Sequence, residues 1–401
     1  MKNETIILFT SNYPFGKGES FIENEIKILA LSFKKCIIIS NNLNDKKTRS
    51  VPENVVVERF SSKLNQLEKI SSFKYLFNRI IIKEILFTKK VLKLKWTFFK
   101  MKTSLISFFK AKKINKNIFD LQSKYFLHKT NCIYYSYWMD DNAIALSFLA
   151  SEKKICRVHG WDLYFERNKE SYLPFRKQIL ENLKVFSISQ LGKTYLKDKT
   201  NFEKVQISRL GTKALKRNIL KTINKKRIVS CSNVIPLKRI SLIIESLELL
   251  THLNIEWIHF GDGPLLNELK LLAKEKSLNA VFKGNVSNTA ILNFLQNEPI
   301  DLFINLSSTE GIPVSIMEAF SCGIPAIATN VGGTSELVNN ANGILLSSNP
   351  SAKSIAKEIE QFLKLNEKEI ESKRSIAFET WNNKFNAEKN YTEFAEIISN
   401  L

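Results

Sequence analysis

The 401-residue chain predicts an α/β fold of two successive halves, each a parallel sheet with crossover helices. Short apolar runs alternate with helical patterns along the whole length. The rhythm restarts after Leu210-Gly211-Thr212, where a basic stretch, Lys213 to Arg227, reads as an interdomain linker. The length itself suits two domains of ordinary size. Two open parallel sheets in sequence would set a ligand cleft between their carboxyl edges.

Seven strands are expected in the first half: Ile6 to Phe9, Cys36 to Ser40, Val55 to Glu58, Cys132 to Tyr135, Lys154 to Val158, Val185 to Ile188 and Val205 to Ile207. Six follow in the second: Ile228 to Cys231, Ile255 to Phe260, Ala280 to Lys283, Leu302 to Leu306, Ala326 to Ala328 and Gly343 to Leu345. The boundaries are an N-terminal domain at 1–212, a C-terminal domain at 213–380 and a last helical segment at 381–401. In that last segment Trp381, Phe385, Tyr391 and Phe394 recur at roughly helical spacing.

Bulk properties narrow the class. A hydrophobic content of 44% fits a globular protein. No apolar run reaches the length of a membrane-spanning helix, and Met1 to Thr10 reads as a first strand instead of a signal peptide. Cys36, Cys132, Cys156, Cys231 and Cys322 are scattered and odd in number, which suits buried, reduced thiols in a cytoplasmic protein. The formal net charge is +21. It concentrates in a basic amphipathic insertion at about 62–120, where Lys74 to Lys116 carries thirteen Lys or Arg against one acid, Glu84. These cations alternate with Ile80 to Ile82, Trp96, Phe98 and Phe108, a pattern suited to an anionic membrane surface and equally to helices with a solvated basic face. No nucleic-acid module accompanies the charge, so nucleic acid is not an expected partner.

The chemistry concentrates in Ser308-Thr309-Glu310-Gly311-Ile312-Pro313-Val314-Ser315-Ile316-Met317-Glu318. Pro313 opens a helix, because its missing N–H would have had no intrahelical partner there. Glu310 sits in the loop before that helix and Glu318 within it. A helix start offers N–H groups and a positive dipole end to an anion, and the carboxylates offer acceptors to hydroxyls. Ser321 to Thr329 then makes a turn into a buried strand, and Asn330 to Leu337 a Gly-Gly loop and a capped helix start.

This stretch resembles the donor site of family-4 retaining glycosyltransferases of the GT-B fold, whose signature is Glu, seven residues, Glu. The resemblance implies two Rossmann-like domains facing a central cleft, with the final helix crossing back to the first domain. The first domain would bind the acceptor and the second a nucleotide-diphosphate sugar, a donor substrate with no separate cofactor. Glu310 would hold donor-sugar hydroxyls, the backbone of Gly311, Ile312, Pro313 and Val314 would assist, and Glu318 would hold the ribose. Pro236-Leu237-Lys238-Arg239 follows the first strand of the second half. The family places an Arg and a Lys there to neutralise the diphosphate. Lys238 fits the Lys, Asn233 stands where the Arg belongs, and Arg239 could substitute for its charge. Gly261 and Gly263 of Phe260-Gly261-Asp262-Gly263-Pro264 match another family element, near the base.

In the first half, Gly16 and Gly18 take the place of the family's glycine loop, with Lys17 between them. Glu19 is a candidate acceptor contact, its bland alternative being an exposed first-turn carboxylate. His159 of Arg157-Val158-His159-Gly160-Trp161-Asp162 resembles the family's active-site histidine, and Asp162 is either an acceptor contact or a cap. No Asp-x-Asp pair occurs, so no metal is expected. The implied activity is metal-independent transfer of a hexosyl or related sugar to a glycan or lipid-linked acceptor, in bacterial surface polysaccharide biosynthesis. The implied location is peripheral, on the inner face of the cytoplasmic membrane. A GT-B sugar-nucleotide epimerase and a non-catalytic sugar-nucleotide or membrane-surface binding protein remain as alternatives.

Overall fold

The chain is described by a computed structural model at residues 5–16, 18–19, 21–127, 131–218 and 225–401. Met1 to Glu4, Lys17, Ser20 and the stretch 219–224 of the expected linker lie outside the described residues. The chain divides into two units: residues up to Arg209 together with Glu388–Leu401, and Leu210–Ala387.

The first unit holds β1 (Thr5–Thr10), β2 (Lys35–Ser40), β3 (Val55–Arg59), β4 (Cys132–Ser136), β5 (Lys154–Val158), β6 (Lys184–Ser187) and β7 (Val205–Ile207). They form one parallel sheet in the order β3-β2-β1-β4-β5-β6-β7. Runs such as Cys36-Ile37-Ile38-Ile39 are continuously apolar because helices cover both faces of a parallel sheet. Side chains alternate between those faces. Ile7, Phe9, Ile37 and Ile39 enter one core, whereas Ile6, Leu8, Cys36 and Ile38 enter the other.

The helices of this unit are α1 (Ile22–Ser32), α2 (Gln66–Ser71), α3 (Arg79–Lys90), α4 (Phe98–Lys124), α5 (Asp141–Ser147), α6 (Arg176–Asn182) and α7 (Gln190–Thr200). Thr97 caps α4 by accepting from the Lys100 N–H at 3.3 Å. Its stripe Leu105, Phe108, Ala111, Ile114, Ile118 and Leu121 is buried in the first core, where each large side chain contributes about 1.5–3 kcal/mol. The opposite core is covered by Ile22, Ile26 and Leu29 of α1 and by Phe394, Ala395 and Ile398 near the carboxyl terminus. Within the basic insertion, α3 buries Ile81, Glu84, Phe87 and Thr88. Arg79, Ile82, Lys83, Leu86, Lys89 and Lys90 are exposed.

The second unit holds β8 (Lys226–Cys231), β9 (Ile255–Phe260), β10 (Ala280–Gly284), β11 (Leu302–Asn305), β12 (Ala326–Thr329) and β13 (Gly343–Leu346), parallel in the order β10-β9-β8-β11-β12-β13. Its helices are α8 (Ile240–Glu248), α9 (Leu266–Glu275), α10 (Asn288–Asn297), α11 (Val314–Ser321), α12 (Ala352–Leu363) and α13 (Glu367–Lys384). The last helix, α14 (Ala387–Ser399), lies almost wholly in the first unit. All thirteen expected strands are present, with ends shifted by no more than two residues.

Four features differ from the sequence reading. The returning segment begins at Glu388 instead of Trp381, because Trp381 is buried in α13 and donates its indole N–H to Thr212 Oγ1 at 2.9 Å within the second unit. The expected linker is partly docked: Asn218 donates to the Leu295 and Glu298 carbonyls at 2.7 and 2.6 Å, and β8 already includes Lys226 and Arg227. Pro313 occupies the cap of α11 with the helix proper starting at Val314, and the helix start expected after Asn330 is only a 3-10 turn, Gly332–Glu336.

Candidate active site

In each sheet the strand order reverses once, between β1 and β4 and between β8 and β11. Beyond the carboxyl ends of such a strand pair the outgoing loops diverge and leave a ligand crevice. In the second unit the diverging loops carry Lys238 and Glu310. Lys238 ends a 3-10 turn, Pro236–Lys238, and donates from Nζ to Glu310 Oε1 at 2.5 Å. The same oxygen accepts from Ser307 Oγ at 2.6 Å and from Asn305 Nδ2 at 3.4 Å. The Ser308 N–H joins the two loops through the Leu237 carbonyl at 2.8 Å. Both charged side chains keep a wetted edge, 22% for Lys238 and 13% for Glu310.

The loop behind Glu310 requires glycine. Gly332 has φ +53°, and a Cβ there would stand 1.9 Å from the Glu310 carbonyl oxygen. The neighbouring Gly333 N–H donates to the Gly311 carbonyl at 2.7 Å, so the Gly-Gly loop props up the segment that opens α11. Gly311, Ile312, Pro313 and Val314 bring their backbone to this helix start, whose first-turn N–H groups have no partners inside the helix. One turn and a half further on, the Glu318 carboxylate accepts from Asn288 Nδ2 at 2.9 Å. Burial pushes this carboxyl up to about 7, against the pull of the Asn288 hydrogen bond. Glu318 lies close enough to the end of β8 to add to the effect of burial on the Cys231 thiol, which is pushed up to about 12.

Arg239 departs from the role of a substitute cation. It donates to the carbonyls of Leu306, Ser307 and Ser348 at 2.5, 2.8 and 3.1 Å and to Asn349 Oδ1 at 3.2 Å. Its guanidinium is taken up in tethering loops, whereas Lys238 turns its ammonium to Glu310. Asn233 is exposed and neutral. Gly261 and Gly263 have a packing reason: a Cβ at either would meet the Ser232 or Val234 carbonyl oxygen at 1.8 or 2.4 Å. They let the end of β9 lie against the loop leaving β8.

In the first unit, Gly16 and Gly18 do lie on the loop after β1. Gly16 has φ +61°, and the carbonyls of Gly16 and Gly18 accept from Thr48 Oγ1 at 2.5 Å and Arg49 Nη1 at 2.7 Å. Glu19 is a correction: it is buried, with its backbone in the left-handed region at φ +56°. Its carboxylate accepts from the N–H groups of Ser11, Asn12 and Tyr13 at 3.1, 2.5 and 2.6 Å and from the indole N–H of Trp138. Asp162 is another. It is fully buried and accepts from the N–H groups of Met139, His159 and Gly160 at 3.0, 2.9 and 3.0 Å. Burial opposes its charge, but hydrogen bonding and the nearby His159 ring hold the carboxyl below the usual range. Neither acid presents an acceptor to solvent; each organises backbone.

His159 sits at the end of β5, 6% exposed, with its ring 4.7 Å from Tyr137 and 4.4 Å from Trp138 between centroids. Its Nδ1 stands 3.7 Å from Asp162 Oδ2, an electrostatic contact beyond hydrogen-bond reach, and neither ring nitrogen has a hydrogen-bond partner. Sequence reasoning missed Tyr137, Trp138, Ser307 and Asn288. A signal existed for Tyr137 and Trp138, two aromatics directly after β4, but the contacts of Ser307 and Asn288 depend on tertiary folding.

The family described as Glycosyl transferases group 1 matches residues 212–376. The matched stretch lies wholly within the second unit. Protein CapJ of Staphylococcus aureus is 40% identical over 88 residues, 21% of this chain and 22% of that protein. The putative teichuronic acid biosynthesis glycosyltransferase TuaC of Bacillus subtilis is 25% identical over 233 residues, 55% of this chain and 57% of that protein. Each match spans between about a fifth and a little over half of the relative's own length. The solved structure of Anabaena HepE in complex with UDP and glucose superimposes with a TM-score of 0.67 at 17% identity, covering 99% of this chain and 100% of that one. The two parallel sheets and this likeness give the chain the GT-B fold.

Proposed function

We propose that the chain is a retaining glycosyltransferase that moves a hexosyl or related sugar from a nucleotide-diphosphate sugar to a glycan or lipid-linked acceptor in bacterial surface polysaccharide biosynthesis. The observation that carries this reading is the Lys238–Glu310 pair, set at the strand-order reversal of the second sheet and beside the start of α11. The ammonium and the helix start are suited to the two phosphates of a donor. As the donor bond breaks, negative charge grows on the departing diphosphate, and a fixed cation there lowers the barrier without a metal. Glu310 offers its carboxylate to donor-sugar hydroxyls, and Glu318 to the ribose. His159, at the end of β5, is the candidate active-site group of the first unit. Retention comes from the family resemblance, with the donor phosphate assisting the incoming hydroxyl on the same face. The TuaC relative and the UDP and glucose held by HepE support the donor and pathway class.

No helix among the described residues is long and apolar enough to cross a membrane. The exposed cationic and apolar face of α3 favours peripheral docking on the anionic inner face of the cytoplasmic membrane. A panel of UDP- and GDP-sugars with oligosaccharide and lipid-linked acceptors, read by nucleotide release and product analysis, tests the assignment. Release that depends on acceptor supports it. A free epimer formed without acceptor, or no turnover with any pair, overturns it.

A further inference from the structure

The two acids that organise the first unit's crevice share one outcome: they fix a pair of tryptophans. Glu19 accepts the indole N–H of Trp138 while holding the N–H groups of Ser11, Asn12 and Tyr13. That ring orientation is therefore set from the loop after β1. Asp162 joins the N–H of Met139, directly after Trp138, to those of His159 and Gly160, directly before Trp161. One buried carboxylate thus locks both tryptophan-bearing loops together. The two indoles lie 5.6 Å apart between centroids at an interplanar angle of 42°. Trp161 is 46% exposed and Trp138 partly so. Behind them the His159 ring is held 4.4 Å from Trp138, more than nine-tenths buried and with neither nitrogen hydrogen-bonded.

An exposed tryptophan is costly surface, and a left-handed backbone at Glu19 is strain. Here Glu19 after β1 and Trp138 after β4 stand at the strand-order reversal of the sheet, where open α/β sheets bind ligands, and Trp161 joins them from the adjacent loop after β5. We infer that Trp138 and Trp161 form an aromatic seat for a pyranose ring of the acceptor, with His159 meeting one of its hydroxyls. The chemistry fits on two counts. One face of a hexopyranose carries several axial C–H bonds of partial positive charge, which complement the negative face of an indole. Its rim carries hydroxyls, and an unpartnered imidazole nitrogen at the edge of an aromatic wall is a directional partner for one of them. This deepens the transferase reading and rests on it for the word acceptor; the saccharide seat itself rests on the geometry alone.

Saturation-transfer NMR of the full chain with a panel of methyl hexopyranosides tests the seat. Expected is transfer concentrated on the protons of one ring face for at least one glycoside. Trp161→Ala should weaken that binding about fivefold or more, the scale of a lost aromatic contact, and Trp161→Phe should recover most of it. Nucleotide-sugar affinity should stay within about twofold, and thermal unfolding should hardly move for so exposed a position. Glu19→Gln, which keeps the shape but weakens the grip on Trp138, should also reduce glycoside binding. Binding unchanged in Trp161→Ala overturns the seat, as does the absence of saturation transfer from every glycoside at ~20 mM, a concentration that reveals even millimolar affinity. Trp161-dependent glycoside binding without nucleotide release from any donor overturns transfer as the reaction and keeps the saccharide site.

Discussion

Lys238 Nζ meets Glu310 Oε1 at 2.5 Å, so the cation assigned to the diphosphate and the carboxylate assigned to the sugar hold each other in place. Ser307 and Asn305 complete the arrangement. The coupling makes the two truncations behave differently. Lys238→Ala should weaken nucleotide-sugar binding by about 1.5–3 kcal/mol, the loss of a charge-assisted hydrogen bond. Glu310→Ala should lower kcat by about a hundredfold or more while leaving nucleoside diphosphate binding equal or tighter, because Lys238 loses its competitor for the phosphates. Calorimetric titration beside turnover measurements separates them. Weaker diphosphate binding in Glu310→Ala would refute the division of labour.

Glu318 should give donor binding a pH dependence. Its carboxyl is raised to about 7 by burial, so it is protonated below that value and becomes a carboxylate above it. Ribose hydroxyls donate best to the charged form. Nucleotide-sugar affinity should therefore rise, about three- to tenfold, between pH 6 and pH 8. The diphosphate diester of the donor does not itself titrate in that window. Glu318→Gln should flatten the profile at an intermediate affinity, and an unchanged profile in that variant removes Glu318 from the ribose site. Stability moves the opposite way. With the folded-state value above the unfolded one, the protonated form is favoured on folding, so this contribution is full at low pH and is lost as pH rises toward and through about 7.

The strands were readable because parallel strands are buried on both faces, and Cys36 to Ser40 or Leu302 to Leu306 has almost no polar interruption. Glu310, Pro313 and Glu318 were readable because a loop, a cap and one helix turn are local geometry. What depended on distant backbone was not. Glu19 and Asp162 look like ligand acids in sequence, yet each is saturated by N–H groups that only the folded loops bring near. Arg239 looks like a spare cation until α8 starts from its left-handed backbone and turns its side chain onto the loops after β11 and β13. Trp381 has the spacing of the terminal segment, but Thr212 holds it in the second unit.

The outward face of α3 supplies a third test. Arg79, Lys83, Lys89 and Lys90 surround the exposed Ile82 and Leu86, while the helix's acid, Glu84, points inward and is buried. Flotation with vesicles containing anionic lipid should show binding that weakens steeply from 50 to 300 mM salt, since the Debye length shrinks to below about 8 Å. Each lost cation near the surface removes about 1 kcal/mol. Lys83→Glu combined with Lys90→Glu should abolish binding, and Leu86→Asp should weaken it without altering thermal stability. Binding to neutral vesicles that ignores salt would contradict an electrostatic dock.

Glu25 and Arg157 form an ion pair at 2.5 Å with both side chains wholly excluded from water. Tyr135 donates to Glu25 at 2.9 Å, Arg157 donates to Ser208 Oγ at 2.8 Å, and the guanidinium lies 4.2 Å from the Phe394 ring of α14. The pair thus ties α1, β5 and the terminal helix into the first unit's second core. Removing one partner leaves the other charge buried and uncompensated. Glu25→Ala or Arg157→Met alone should therefore cost about 3–5 kcal/mol. Replacing both, as Glu25→Leu with Arg157→Met, should cost less than either single change because no charge is left behind. Denaturant unfolding of the three variants checks this. Additive losses in the double variant would show that the two side chains act independently, which their mutual burial forbids.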